Sequence, residues 1–337
     1  MRLLLLFFLA LSFSVVAEED PLSFDDFPVS QDVEHPDWFK RSFLDLPDDL
    51  KEAAEGGKQG LIVYFGQRHC AYCRQLMRVN FAMDDIVTYT RKHFDVVAID
   101  IWGEKGVVDM QGQEHTERSL ALQENTNFTP SLIFYDAQGK QALRLRGYYP
   151  PYQFRAALEY VADAHYQRET FKEFLARGED AMVFELGDLN EEEFFSLPPH
   201  NLDRSRFPSQ RPLVVFFEQG NCHACDVLHG HPLQEKEIRK IMQSFDTVQL
   251  DVNSQDPVIT PAGKKSNAHQ WASDLGVFYT PSLLIYDEKG REILRVDSVV
   301  NFYRLRNILN FVSSKAYLTQ PSYQQWRIQS QIEDMKF

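Results

Sequence analysis

Apolar residues along the chain fall into short unbroken runs and regularly spaced sets. The run LIVYF at 61–65 is rich in β-branched and aromatic residues and bounded by polar positions, which predicts a strand buried on both faces. From Cys73 the stretch CRQLMRVNFAMDDIVTYTRKH contains no Gly or Pro and carries Leu76, Val79 and Met83 at helical spacing, which predicts one helix. A second buried strand is expected to end at Asp100, with a Gly-centred hairpin around Gly112. Thr116 is placed to cap the next helix. TPSLIFYDAQG then predicts strand, turn and strand, and a closing helix turns Phe154, Leu158 and Val161 inward.

The whole pattern then recurs. LIVYF returns as LVVFF at 213–217, VVAID at 96–100 as TVQLD at 247–251, and TPSLIFYDAQGK at 129–140 as TPSLLIYDEKGR at 280–291. Gly112 matches Gly263, Thr116 matches Asn267, and Phe154, Leu158 and Val161 match Leu305, Leu309 and Val312. Two copies of one α/β domain are therefore expected. The predicted boundaries are 38–170 and 185–337, joined by a linker at 171–184 and preceded by an acidic, extended segment at 18–37.

Composition adds little to that picture and charge removes one class. The 337 residues are 44% apolar and 25% charged, as in an ordinary globular protein. A net charge of −14 disfavours nucleic acid as a partner, because neutralising phosphates takes clustered Lys and Arg. The four cysteines are more informative. All of them sit in two C-x-x-C pairs, Cys70/Cys73 and Cys222/Cys225, one per copy. Such a pair suits a metal clamp, a structural staple or a redox couple. A bridge closing so short a loop constrains the unfolded chain very little. A zinc knuckle usually brings two such pairs close together in sequence, whereas these lie in separate copies. Imidazoles at His69, His223, His229 and His231 keep copper or zinc binding open, although His229 and His231 read as solvated loop residues ahead of Pro232.

The order strand, HCAYC, helix, strand, helix, then FTPS before a strand hairpin and helix resembles the thioredoxin superfamily. It looks most like its periplasmic SoxW- and Dsb-type thiol–disulfide oxidoreductases. NCHAC and YTPS repeat the motifs in the second copy. The resemblance implies a central mixed sheet flanked by helices in each of two tandem domains. It implies redox-active pairs at Cys70/Cys73 and Cys222/Cys225, cis-prolines Pro130 and Pro281 facing them, and Thr129 and Thr280 bordering the substrate cleft. No bound organic cofactor and no resident metal are implied. The chain departs from thioredoxin itself in having His69 and Asn221 before the first cysteines, where a Trp is common. It also has Tyr64 and Phe216 where thioredoxin keeps a buried acid.

Thiol exchange needs an attacking thiolate and a second thiol to resolve the mixed disulfide. A helix N-terminus stabilises the thiolate of its first Cys, so Cys70 and Cys222 are the expected nucleophiles and Cys73 and Cys225 the resolving thiols. Arg68, His69 and Arg74 flank the first pair, whereas Glu218, Asn221 and Asp226 flank the second, with His223 inside it. Cationic surroundings lower a thiol pKa, so Cys70 is expected to be the more acidic thiol and electrons to run from the second domain to the first.

Arg2 followed by the apolar run Leu3 to Leu11, with Val15 and Ala17 ahead of Glu18, reads as a signal peptide at 1–17 cleaved before Glu18. The mature protein is then expected in the periplasm, acting on substrate proteins with cysteine pairs and served by a membrane-bound or soluble redox partner. Phe24 and Phe27 read as part of a solvated tail, and the stretch at 322–337 as helical, with Trp326 packed on its own domain as Phe174 is in the first copy. Two further readings remain for the whole chain, a thioredoxin-fold binding or scaffold module with redox-regulatory cysteines, and copper or zinc handling.

Overall fold

The computed structural model describes residues 20–179, 188–320 and 322–334. The expected signal peptide, its cleavage point and residues 180–184 of the expected linker lie outside the described residues.

The first domain runs α1 (Leu46–Glu55), β1 (Gly60–Gly66), α2 (Ala71–Arg78), α3 (Asp84–His93), β2 (Phe94–Asp100), the hairpin β3 (Gly106–Val108) and β4 (Glu114–Thr116), α4 (Glu117–Gln123), β5 (Ser131–Asp136), β6 (Gln141–Arg146), α5 (Pro151–Ala162) and α6 (Phe171–Glu179). Its main sheet has the order β2-β1-β5-β6, with β1 and β2 parallel and the other pairs antiparallel. The central strand β1 is buried along its whole length, as an apolar run without alternation requires. Alternate residues feed two cores: Ile62 and Tyr64 pack beneath α2 and α5, while Leu61, Val63 and Phe65 pack against α1 and α4.

The second domain repeats this order with β7 (His200–Asn201) at its start in place of a counterpart to α1. It continues with β8 (Leu213–Glu218), α7 (His223–Gly230), α8 (Lys236–Met242), β9 (Asp246–Asp251), β10 (Pro257–Ile259), β11 (Lys265–Asn267), α9 (Ala268–Asp274), β12 (Ser282–Tyr286), β13 (Glu292–Val296), α10 (Phe302–Ser313) and α11 (Tyr323–Asp334). Its sheet order, β9-β8-β12-β13, matches the first. Thr116 and Asn267 cap α4 and α9, each side chain accepting from the N–H three residues on. Trp326 packs on Phe311 and Tyr323, and Phe174 on Tyr160 and Phe171, each within its own domain. Among the described residues no helix is long and apolar enough to cross a membrane.

Four expectations are corrected. The single helix expected from Cys73 to His93 is broken between Arg78 and Asp84 by a short 3-10 turn at Asn80–Ala82. Asn80 is fully buried there and donates from Nδ2 to the carbonyl of Tyr149, a tertiary bond that outweighs local helix propensity. The second copy marks the same break openly with Pro232. The stretch 171–179, assigned to the linker, is α6, whose Phe171 and Leu175 are buried in the first core.

His229, read as a solvated loop residue, is 5% exposed within α7. Its Nε2 lies 3.1 Å from both carboxylate oxygens of Glu218, and its Nδ1 lies 3.3 Å from Glu192. Burial pushes the imidazole pKa down, but the bonds and charges of Glu218 and Glu192 outweigh it and hold the pKa above its ordinary value.

The acidic segment is not a solvated tail. Phe24 sets its ring against Tyr72 and Tyr148, and Leu22 and Val29 are buried. The segment joins the domains at Asp26, which is 8% exposed. Asp26 accepts from the Tyr72 hydroxyl and from the N–H groups of Tyr303 and Arg304, at 2.8 Å each, and so caps α10 from outside the second domain.

The domains pack through the faces that carry their cysteines. The first core continues into Val227, Tyr279 and Val299 of the second domain, and the second core takes in Phe128 of the first. Tyr149 stacks on Phe278 and meets Tyr279 edge-on, and Val299 N–H donates to the Tyr148 carbonyl. Gly147 sits at φ 108, and a Cβ there would stand 2.0 Å from Ser298 Oγ, so only glycine suits this crossing.

Asp297, beside the crossing, is buried, and burial pushes its pKa up to about 6 against the charges of Arg146 and Arg295. With an ordinary value of 3.8, stability falls as pH rises between these limits, and ionised Asp297 destabilises the fold by up to about 3 kcal/mol above them. Asp297→Asn is expected to raise the urea midpoint at pH 7.5 and to leave it unchanged at pH 3.5. Equal gains at both pH values would show that the carboxylate's charge is not the cause.

Candidate active site

Each pair stands at a strand-to-helix junction. After β1 the turn at 67–69 delivers Cys70 in an extended conformation as the N-cap of α2, where its Sγ accepts the N–H of Cys73 at 3.0 Å. Cys222 caps α7 in the same way, accepting from Cys225 at 3.1 Å. Asn221 turns into it at φ 52, a conformation Asn tolerates better than most residues. Both pairs are disulfides with Cα atoms 5.1 Å apart. Cys73 and Cys225 have no exposed surface, whereas Cys70 and Cys222 keep 5% and 7%. An incoming thiolate therefore meets the first sulfur of each pair. Once reduced, that sulfur sits in the field of a helix N-terminus with an N–H aimed at it, which stabilises its thiolate.

The Thr-Pro motifs close over these sulfurs. The Thr129–Pro130 and Thr280–Pro281 bonds are cis. Cys70 Sγ lies 3.3 Å from Thr129 Oγ1 and 3.6 Å from its carbonyl oxygen, and Cys222 Sγ lies 3.6 Å from both atoms of Thr280. Thr129 Oγ1 also accepts from Gln67 Nε2 at 2.7 Å.

Residues 46–162 and 206–313 each match the model of the thioredoxin-like domain, together more than half of the chain. The chain belongs to the thioredoxin-like family. With a CxxC disulfide at the head of a helix in each domain, this tandem thioredoxin-like protein is a thiol–disulfide oxidoreductase. It is similar to a thioredoxin-fold protein from Helicobacter pylori at 26% identity, covering 43% of this chain and 89% of that one, with a TM-score of 0.34. A thioredoxin from Thermus thermophilus is 21% identical over 42% of this chain and 95% of its own, with a TM-score of 0.29. A disulphide isomerase from Xylella fastidiosa is 19% identical over 44% and 95%, with a TM-score of 0.25. No curated protein matches the chain.

The flanking cations stand apart from the sulfurs' buried surroundings. In this thioredoxin-like protein Arg68 and Arg74 are exposed, and His69 is open to solvent with Asp32 at 3.9 Å. His223 is also exposed and pairs with Asp20 at 2.9 Å. Among the described residues no group of three or more His, Cys, Asp or Glu is gathered in a metal-binding arrangement.

The cation at the first site comes from the other domain. Arg304 of α10 lays its guanidinium 3.3 Å over the Tyr72 ring and donates from Nη2 to the Thr129 carbonyl at 2.8 Å. Arg327 of α11 donates to Gln67 Oε1 at 3.0 Å. Tyr72 donates to Asp26 and accepts from the N–H of Asn301. Sequence reasoning missed Asp26, Gln67, Arg304 and Arg327. One signal was available for Arg304, since the first copy has Gln153 in its place.

Proposed function

We propose that this oxidoreductase is exported and exchanges disulfides with cysteine pairs in other proteins, working as a reductase or isomerase. The observation that carries the exchange itself is the pairing, in both domains, of a helix-capping and partly accessible first cysteine with a wholly buried second one. That asymmetry gives a nucleophile and a resolving thiol. Export rests on the N-terminal sequence, and protein substrates rest on Thr280 beside Cys222, which is only half-buried, unlike Thr129 at the first site. The direction rests on the dipeptides Ala-Tyr and His-Ala, neither of which puts His directly before the second Cys, as strong oxidants of this kind often do.

Equilibration of each pair against glutathione tests the direction. Potentials at or below about −180 mV are expected, and a value near −120 mV at both sites would make the protein an oxidant instead. N-terminal sequencing of the mature protein tests export. A start at Glu18 is expected, and retained Met1 would overturn it.

A further inference from the structure

We propose that the cavity between the domains at Cys70 receives a small carboxylate-bearing thiol, or the disulfide of that thiol, which exchanges directly with the Cys70–Cys73 pair. This rests on the reading of that pair as an exchange site and names its substrate class. The cavity has a volume of about 590 Å³ and is walled by Cys70 and Thr129 of the first domain, Arg304, Arg306 and Arg327 of the second, and Asp26 of the N-terminal segment. That volume suits a small molecule and admits no folded partner.

Two observations favour an anionic small molecule over a polypeptide. The first concerns the backbone edge that an extended substrate would pair with. The Thr129 carbonyl already accepts from Arg304 Nη2, and Thr129 is 1% exposed. The second domain therefore covers the peptide-binding edge of the first while leaving the sulfur at a cavity wall.

The second observation is an excess of positive charge, with no close ion pair at Arg304 or Arg327 among the described residues. Arg304 is 9% exposed and forms no ion pair among the described residues; its bonded partner is a neutral carbonyl. Arg327 bonds a neutral amide, and its Nε is buried without a partner. Arg306 reaches a carboxylate, Glu237, only at 3.9 Å. The one carboxylate among the described lining residues is Asp26, and both its oxygens are engaged by Tyr72 and the first N–H groups of α10. Burial presses the Arg327 pKa down, and the nearby charge of Arg304 adds to it against the opposing pull of Tyr323 and Asp26. Buried charges are ordinarily paired, so this arrangement calls for an anion. A cavity of about 620 Å³ in the second domain supplies the contrast. Its Arg204 and Arg211 are both bound to Asp246, at 2.7 and 2.8 Å, and no cysteine lines it.

The exchange balances with two molecules of the small thiol. The first, as a thiolate, attacks Cys70 Sγ; a sulfur–sulfur bond forms to Cys70, and the Cys70–Cys73 bond breaks with its electron pair leaving on Cys73. The second attacks the ligand sulfur of that mixed disulfide, releasing the Cys70 thiolate and the symmetrical small disulfide. Two electrons pass from the two thiols to the protein pair, and the two protons they lose return through water to Cys70 and Cys73. The reverse reaction reduces the small disulfide.

The test uses the full-length Cys222→Ser/Cys225→Ser protein in its disulfide form, reduced by 3-mercaptopropionate, 2-mercaptoethanol or cysteamine. These thiols differ chiefly in being anionic, neutral or cationic. Each rate is divided by that thiol's rate with hydroxyethyl disulfide, which removes intrinsic reactivity. The normalised rate for 3-mercaptopropionate is expected to exceed that for 2-mercaptoethanol by about tenfold, with cysteamine slowest. Arg306→Gln is expected to reduce that preference to less than about threefold, and the Cys70→Ser/Cys73→Ser protein, which reports on the second site, to show none. Propionate itself is expected to slow reduction by 2-mercaptoethanol at the first site. Equal normalised rates for the three thiols would overturn the proposal. Neutral dithiothreitol separates the two failures: if it reduces Cys70–Cys73 while the charged thiols show no preference, only the anionic substrate falls. If dithiothreitol fails too, the exchange site itself is wrong.

Discussion

Full-length protein carrying both Cys70→Ser and Cys222→Ser is expected to lose insulin reduction by dithiothreitol down to the uncatalysed rate, a fall of about a hundredfold or more. Cys70→Ser alone should keep the activity of the second site. The reason is the geometry at each helix start. Only the first sulfur of each pair is reachable, and only it accepts an N–H at a helix N-terminus. Serine preserves the cap but supplies no nucleophile of comparable strength. If the cavity at the first pair excludes polypeptide, most of the insulin activity should vanish with Cys222→Ser alone. A double variant that still reduces insulin at the wild-type rate would remove both cysteine pairs from the chemistry and favour the scaffold reading.

The second large effect is expected at Asp26. Asp26→Ala leaves the Tyr72 hydroxyl and the N–H groups of Tyr303 and Arg304 without their acceptor at a site 8% exposed. Orphaning buried donors and uncapping α10 together should lower the unfolding free energy by about 3 kcal/mol. Asp26→Asn keeps one acceptor oxygen and should lose about half as much. Denaturant midpoints of the three proteins at neutral pH measure this. A loss below about 0.5 kcal/mol for Asp26→Ala would mean that the segment lies on the domains without joining them.

The elements that a local pattern determines are legible in the sequence itself. LIVYF and LVVFF are central strands because an unbroken β-branched run has no polar face to show solvent. Cys70 and Cys222 sit at helix starts because a turn follows each strand, and after the first pair a Gly- and Pro-free stretch continues the helix. What escaped were bonds made at long range. Asn80 breaks a helix by reaching Tyr149, and His229 is buried because Glu192 and Glu218 bracket it. Asp26 and Arg304 owe their roles to the other domain, which no local periodicity records. The acidic stretch at 18–37 reads as a tail because its charges and prolines give no core period, yet Phe24 and Leu22 are held by partners far along the chain.

That interdomain contact also bears on why one chain carries two unequal copies. The second domain places Arg304 and Arg327 at the first pair, where the first domain's own matching position would supply Gln153. In the other direction, the N-terminal segment packs Leu22 against the second domain beside Ala224 and Val227, leaving a void of only about 10 Å³. Duplication followed by divergence at such contacts gives two sites with the same sulfur geometry and different approaches.

The most direct test of the central claim is the stoichiometry and placement of alkylation after reduction. Full-length protein titrated with dithiothreitol should consume two equivalents, one per disulfide. A brief pulse of iodoacetamide at pH 6, read by peptide mass spectrometry, should then label Cys70 and Cys222 ahead of Cys73 and Cys225. Labelling led by Cys73 and Cys225, or disulfides that resist dithiothreitol in the folded protein, would contradict it.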